Sequence, residues 1–165
     1  GFNTMTGGGP GIMEAANRGA FEAGGKSIGC NIQLPFEQKI NPYVTTSITF
    51  EHFFVRKVLL VKYSFAFIIP PGGVGTMDEF YDTLTLVQTR RITRFPIVLL
   101  GKSYFQPVID YLHFMADQKT ISPEDINLVL LTDSVDEAMD HISKYIKKNY
   151  EVKPRKKLWW LLERK

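Results

Sequence analysis

The sequence predicts an α/β protein of the doubly wound kind, a parallel sheet with helices on both faces. Three observations carry this. The apolar runs are short and do not alternate, as expected of strands buried on both sides. Segments of helical periodicity lie between them, so strand and helix alternate along the chain and successive strands are joined by right-handed crossovers. Two of the strand-to-helix turns are rich in glycine, and ligands of such sheets bind beyond the carboxyl ends of the strands.

Taken in order, the strands are "FNTM", "SIGCNIQL", "SFAFIIP", "PIVLLG" and "LVLLT". Helices are expected over 11–23, about 51–63, 76–90, 105–119 and 134–148. The stretch "QKINPYVTT" reads as the longest irregular segment. The chain opens already inside a strand, a few residues before its most glycine-rich loop, where a fold of this class has an earlier strand and helix. An N-terminal part is therefore expected to be missing.

At 165 residues, 44% of them hydrophobic, the chain is long enough for one domain with a real core. Residues 1–150 are assigned to that domain and 151–165 to a basic, tryptophan-containing tail. The net charge of +3 is unevenly spread. Residues 144–165 hold nine Lys/Arg against two acids, whereas residues 1–143 hold eleven against fifteen. An acidic body argues against a nucleic-acid reader, and the tail "KPRKKLWWLLERK" reads as a helical segment packing on the body or on a second subunit. Cys30 is the single cysteine, which excludes an internal disulfide and a cysteine-based zinc cluster; it reads as a buried thiol. No run of about 18 apolar residues and no signal-peptide pattern is present, so a soluble, cytoplasmic protein without membrane contact is expected.

Three constellations carry chemistry. In "TGGGPGIMEAANRGA" Gly7, Gly8, Gly9 and Gly11 join a strand end to a helix start whose first turn holds Glu14. Glycines let backbone approach a ligand, and a helix N-terminus offers free N–H groups, so this is a candidate anion site. It is neither the dinucleotide fingerprint nor a P-loop. In "IIPPGGVGTMDEFYD" Gly72, Gly73, Gly75 and Thr76 form a second such loop, followed by Asp78 and Glu79. Both loops follow strands of one parallel sheet and so are placed at the same sheet edge, where they can clamp one phosphorylated ligand.

Glu79 has two readings. With Thr76 three residues earlier it forms a capping-box pattern. It also suits a reaction in which positive charge develops beside a phosphorylated group, such as cleavage of a nucleotide's N-glycosidic bond, where a carboxylate stabilises an oxocarbenium-like ribose and activates water. The third constellation, "EHFFVRKVLLV", places Arg56 and Lys57 among apolar neighbours, where a guanidinium can orient a carboxylate or bind phosphate. His52, His113 and His141 lack metal-ligand spacing, so no metal is expected. No serine has the nucleophile-elbow context.

These motifs resemble the LOG family of cytokinin-activating phosphoribohydrolases and its bacterial relatives, labelled "possible lysine decarboxylase". The resemblance runs from Thr6 to about Ile146. It implies a Rossmann-like fold, a homodimer or a larger assembly of dimers, and hydrolysis of a nucleoside 5′-monophosphate to free base and ribose 5-phosphate without a cofactor. It makes Glu79 and Arg56 the catalytic pair. Gly72, Gly73, Gly75 and Thr76 take the phosphate-loop role, with Gly8, Gly9, Gly11, Glu14 and Lys57 completing the nucleotide site. No segment reads as a PLP-lysine site. The family's first strand and its glycine/serine loop have no counterpart in this chain. Val74 stands where plant members often carry an aromatic residue and Asp78 where they carry glutamate, which leaves the base open between AMP-like and cytokinin nucleotides. Two rivals are a non-catalytic carrier resembling molybdenum-cofactor carriers and a single-strand DNA-binding relative. Retention of Glu79 and Arg56 argues against the first, and the absence of a basic aromatic face against the second.

Overall fold

The computed structural model describes residues 2–35, 39–93 and 95–150; the tail assigned to 151–165 lies outside them. The elements run β1 (Thr4–Thr6), α1 (Ile12–Glu22), β2 (Ser27–Ile32), β3 (Thr46–Phe50), α2 (Phe53–Lys62), β4 (Phe67–Ile69), α3 (Val74–Gln88), β5 (Ile97–Leu100), α4 (Lys102–Asp117), a 3-10 helix (Pro123–Leu128), β6 (Val129–Thr132) and α5 (Val135–Asn149). All strand pairings are parallel, as the alternation of strand and helix requires.

β5 shows why unbroken apolar runs mark this fold. Ile97, Val98 and Leu99 are fully buried. Ile97 and Leu99 pack with Phe80 and Leu84 of α3 and with Phe105 and Leu112 of α4. Val98 points the other way, onto Ala138, Ile142 and Ile146 of α5. Those three α5 residues recur every four positions, the stripe a helix needs to cover a sheet. Successive strand residues face opposite sides, so both must be apolar when both sides are covered.

Two expectations are corrected. The strands form two three-stranded sheets, β1-β2-β3 and β4-β5-β6, and no ladder joins β1 to β4 among the described residues. Each is an edge strand, and Ile68 of β4 is 42% exposed although its sequence reads as a buried core strand. The second correction is β3, a strand absent from those expected, which begins at Thr46, the last residue of the segment read as irregular. Among the described residues it pairs only with β2, from Ile28↔Thr46 to Ile32↔Phe50, and its first four residues are exposed. An edge strand facing solvent needs no apolar run, so it left no such signal. α4 also begins before the expected residue 105, because its first N–H, that of Lys102, is taken by Asp133 Oδ1 at 2.7 Å.

Cys30 lies buried in β2. Burial pushes its thiol above the ordinary cysteine value, with Arg56 partly opposing the shift. The thiolate is the reactive form, so labelling at pH 8 is expected to be about tenfold or more slower in the native protein than in denaturant. Equal rates by a chromogenic disulfide reagent would show that the thiol is accessible. No helix among the described residues is long and apolar enough to cross a membrane.

Candidate active site

β1 ends at Thr6, and the chain turns through Gly7–Gly11 into α1. Gly8 has φ +79°, a region costly for residues with a Cβ, and a Cβ there would lie 3.3 Å from the Gly29 Cα of β2. Gly11 caps α1 with no side-chain hydrogen bond. The second loop leaves β4, turns at Pro70–Gly73 and enters α3, again without a side-chain cap, Gly73 being the cap residue. By contrast, the N-cap of α5, Ser134, accepts a hydrogen bond from the Glu137 N–H. The two glycine-loop helices thus present uncapped first-turn N–H groups, the donors that suit an anion.

The start of α3 corrects the capping-box reading of Thr76 and Glu79. The helix begins at Val74, so Thr76 already lies within its first turn and Glu79 lies in the second. The flanking glycines let the helix begin earlier than the polar pattern indicates. Glu79 turns instead to α2, where Arg56 Nη1 donates to its Oε1 at 2.7 Å. Arg56 Nε donates to the Cys30 carbonyl at 2.8 Å, which fixes the guanidinium against β2. The two side chains are 14% and 31% exposed, so the carboxylate keeps access to solvent.

The pair also meets the first loop. A Cβ added at Gly7 would lie 2.9 Å from Arg56 Nη2 and 2.9 Å from Met13 Sδ. The guanidinium therefore lies against Gly7 while it holds Glu79 of α3, which brings all three constellations to one place. Gly7 belongs to the glycine loop read as a candidate anion site, but nothing in "GGG" marks it as the glycine that meets Arg56. At Gly72, a Cβ would run into the Thr76 side chain, so that turn also requires glycine.

The remaining candidates distribute around this centre. Gly9 is buried in the first loop, Gly73 and Gly75 are exposed at the head of α3, and Glu14 lies in the first turn of α1. Lys57, expected at the nucleotide, is engaged by α3: its Nζ lies 2.5 Å from Asp82 Oδ2 and 3.1 Å from Asp78 Oδ1. Hydrogen bonds to Asp82 and then Asp78 raise its pKa above the ordinary lysine value. Of the histidines, His52 stacks on Phe54 and His141 packs against Tyr145 of α5. Among the described residues no group of three or more His, Cys, Asp or Glu side chains is placed to hold a metal ion. Asn17 and Asn41, both buried, hold the first loop from beneath, a role their sequence positions did not mark.

Comparison with known proteins places these motifs in a family. The family model described as "Possible lysine decarboxylase" matches residues 13–142. A Rhodococcoides fascians protein named cytokinin riboside 5′-monophosphate phosphoribohydrolase is 30% identical over 84 residues, 51% of this chain and 42% of its own. The Mycobacterium tuberculosis protein of the same name is 32% identical over 85 residues, 51% of this chain and 45% of its own. Arabidopsis thaliana LOG1, also a cytokinin riboside 5′-monophosphate phosphoribohydrolase, is 28% identical over 109 residues, 66% of this chain and 50% of its own. The matched region thus spans half or less of the length of these relatives. With the family model covering most of the sequence and both glycine-loop helices, the chain belongs to the possible lysine decarboxylase family, the LOG family.

Proposed function

We propose that the protein hydrolyses the N-glycosidic bond of a nucleoside 5′-monophosphate, giving free base and ribose 5-phosphate. The observation that carries this reading is the Arg56–Glu79 ion pair lying against Gly7, beside two uncapped helix starts. The loop amides and the Thr76 hydroxyl bind the 5′-phosphate within the domain assigned to residues 1–150. Glu79 is held through one oxygen, Oε1, which leaves Oε2 for the ribose and the attacking water. As the bond from C1′ to the base nitrogen breaks, its electron pair leaves with the base. Glu79 stabilises the cationic ribose and takes a proton from the water that adds to C1′, and that proton is then passed to the nitrogen of the departing base, which restores the carboxylate. Arg56 spends two N–H groups on Cys30 and Glu79, so its main part is to orient the carboxylate.

The names of the relatives support a cytokinin riboside 5′-monophosphate as substrate, with AMP the alternative to be tested beside it. Val74, 87% exposed at the head of α3, is a candidate for contact with the base. The test is base release by wild type from AMP, GMP, CMP, UMP and isopentenyladenosine monophosphate, with the corresponding nucleosides as controls. Release from a monophosphate but not from its nucleoside is expected. Binding without release of base or ribose 5-phosphate would favour a carrier of phosphorylated ligands.

A second copy of the chain is proposed to cover the exposed Phe53, Phe54 and Val58 of α2, in line with the dimer the family resemblance implies. Light scattering tests this directly, and a monomer would refute it. Within the site, Gly7→Ala is expected to push Arg56 from Glu79 and lower kcat by about tenfold to a hundredfold, since small misplacements of catalytic groups carry large kinetic costs. An unchanged kcat would show that the guanidinium does not depend on that contact.

A further inference from the structure

Resting on the nucleotide site proposed above, we infer that Asn41 and Tyr104 are positioning residues that take up glycine-loop carbonyls, those of Gly8 and Gly9 in the first loop and that of Gly72 in the second, and so aim the N–H groups of Gly9 and Gly73 at the ligand phosphate. Asn41, 6% exposed, donates from Nδ2 to the carbonyls of Gly8 at 3.1 Å and Gly9 at 3.0 Å. The same amide reaches Asn17 Oδ1 at 2.9 Å, and the Asn41 backbone N–H also donates to the Gly8 carbonyl at 2.8 Å. Asn17 is fully buried and is itself fixed, its Nδ2 donating to Ser27 Oγ at 2.8 Å and its Oδ1 accepting from Thr6 Oγ1 at 2.7 Å. At the second loop, the Tyr104 hydroxyl of α4 donates to the Gly72 carbonyl at 2.5 Å.

The consequence follows from peptide geometry. In a planar trans peptide, the C=O of one residue and the N–H of the next point in opposite directions. The structure has no cis peptide bond among the described residues. With the Gly8 carbonyl turned onto Asn41, the Gly9 N–H faces away from Asn41. With the Gly72 carbonyl turned onto Tyr104, the Gly73 N–H faces away from Tyr104. Neither N–H makes a hydrogen bond among the described residues. The Gly9 carbonyl is taken too, and there the next residue, Pro10, has no N–H to aim. Burying an amide group is costly unless it is paired, so a buried Asn41 spent on two loop carbonyls and steadied by a buried Asn17 indicates a demand for loop orientation rather than for packing.

The test measures binding of ribose 5-phosphate and of AMP by calorimetry, with adenosine as the ligand lacking phosphate. Tyr104→Phe removes only an exposed hydroxyl and is expected to keep the wild-type Tm while raising Kd for both phosphorylated ligands about threefold to tenfold, with adenosine unchanged. Asn41→Ala is expected to raise the same two Kd values about tenfold and to lower Tm. Ser27→Ala breaks the network beyond Asn17 without touching a loop carbonyl, and is expected to lower Tm with no change in Kd. The inference is overturned if Tyr104→Phe leaves both Kd values unchanged, if Ser27→Ala shifts them as much as Asn41→Ala, or if wild type binds no ribose 5-phosphate. A wild type that binds ribose 5-phosphate but releases no base refutes the hydrolase reading alone, since the clamp is read from binding.

Discussion

Glu79→Gln is expected to lower kcat for base release about a thousandfold, with KM little changed and Tm within about 3–6 °C of wild type. Glutamine keeps the shape of the side chain and an oxygen to accept from Arg56 Nη1, now 2.7 Å from Oε1. What disappears is the charge that, in the proposed reaction, faces the ribose. Proton transfer by a positioned side chain contributes about 10²–10⁴-fold and fixed charge stabilisation about 10²–10³-fold, and the two roles of one carboxylate overlap rather than multiply. KM is expected to be spared because, in the proposed site, the loops and not Glu79 hold the phosphate. The effect on stability is small because Glu79 is 31% exposed, and breaking a partly solvated pair costs on the order of 1–2 kcal/mol. A folded variant that loses less than tenfold would show Glu79 to be only the ion-pair partner of Arg56.

The next residue gives the opposite signature. Phe80 is fully buried, packed with Ile97, Leu99, Phe105 and Leu112 and tilted against Tyr81 at 4.9 Å between ring centroids. Phe80→Ala removes a large side chain from a core that cannot wholly collapse around the space, at a cost of about 3–5 kcal/mol. Urea denaturation should show that loss directly, and Tm should fall by roughly 6–20 °C. Below the transition, kcat per folded molecule is expected to stay within tenfold of wild type, because neighbouring helical positions project about 100° apart and Glu79 faces away from this core. A loss of kcat comparable to that of Glu79→Gln in folded protein would show that core packing sets the position of the carboxylate.

These adjacent positions show what is legible in a sequence and what is not. The buried strands could be read because β5 needs apolar residues on both faces, and its run "IVLL" has no other economical explanation. β3 could not, because four exposed residues on an edge leave the pattern free. The glycine loops were legible as turns into open helix starts through composition alone. Which glycine does what was not: Gly7 matters through Arg56, which is brought to it from α2 by the fold. The capping-box reading failed because a polar motif records side-chain options, while the start of α3 was set by the backbone at Gly73.

By itself, the sequence determined the fold class, the alternation of strand and helix, and the residue types of the site, because periodicity and glycine clustering are local consequences of burial and backbone freedom. Only the tertiary structure decided the pairings. It turned Glu79 from a helix cap into the partner of Arg56, spent Lys57 on Asp78 and Asp82, and set Asn41 beneath Gly8 and Gly9. It also divided the strands into two sheets. The physical reason is one of range. Propensity and burial act over a few residues, whereas hydrogen bonds and ion pairs between elements depend on distances that exist only after those elements have packed.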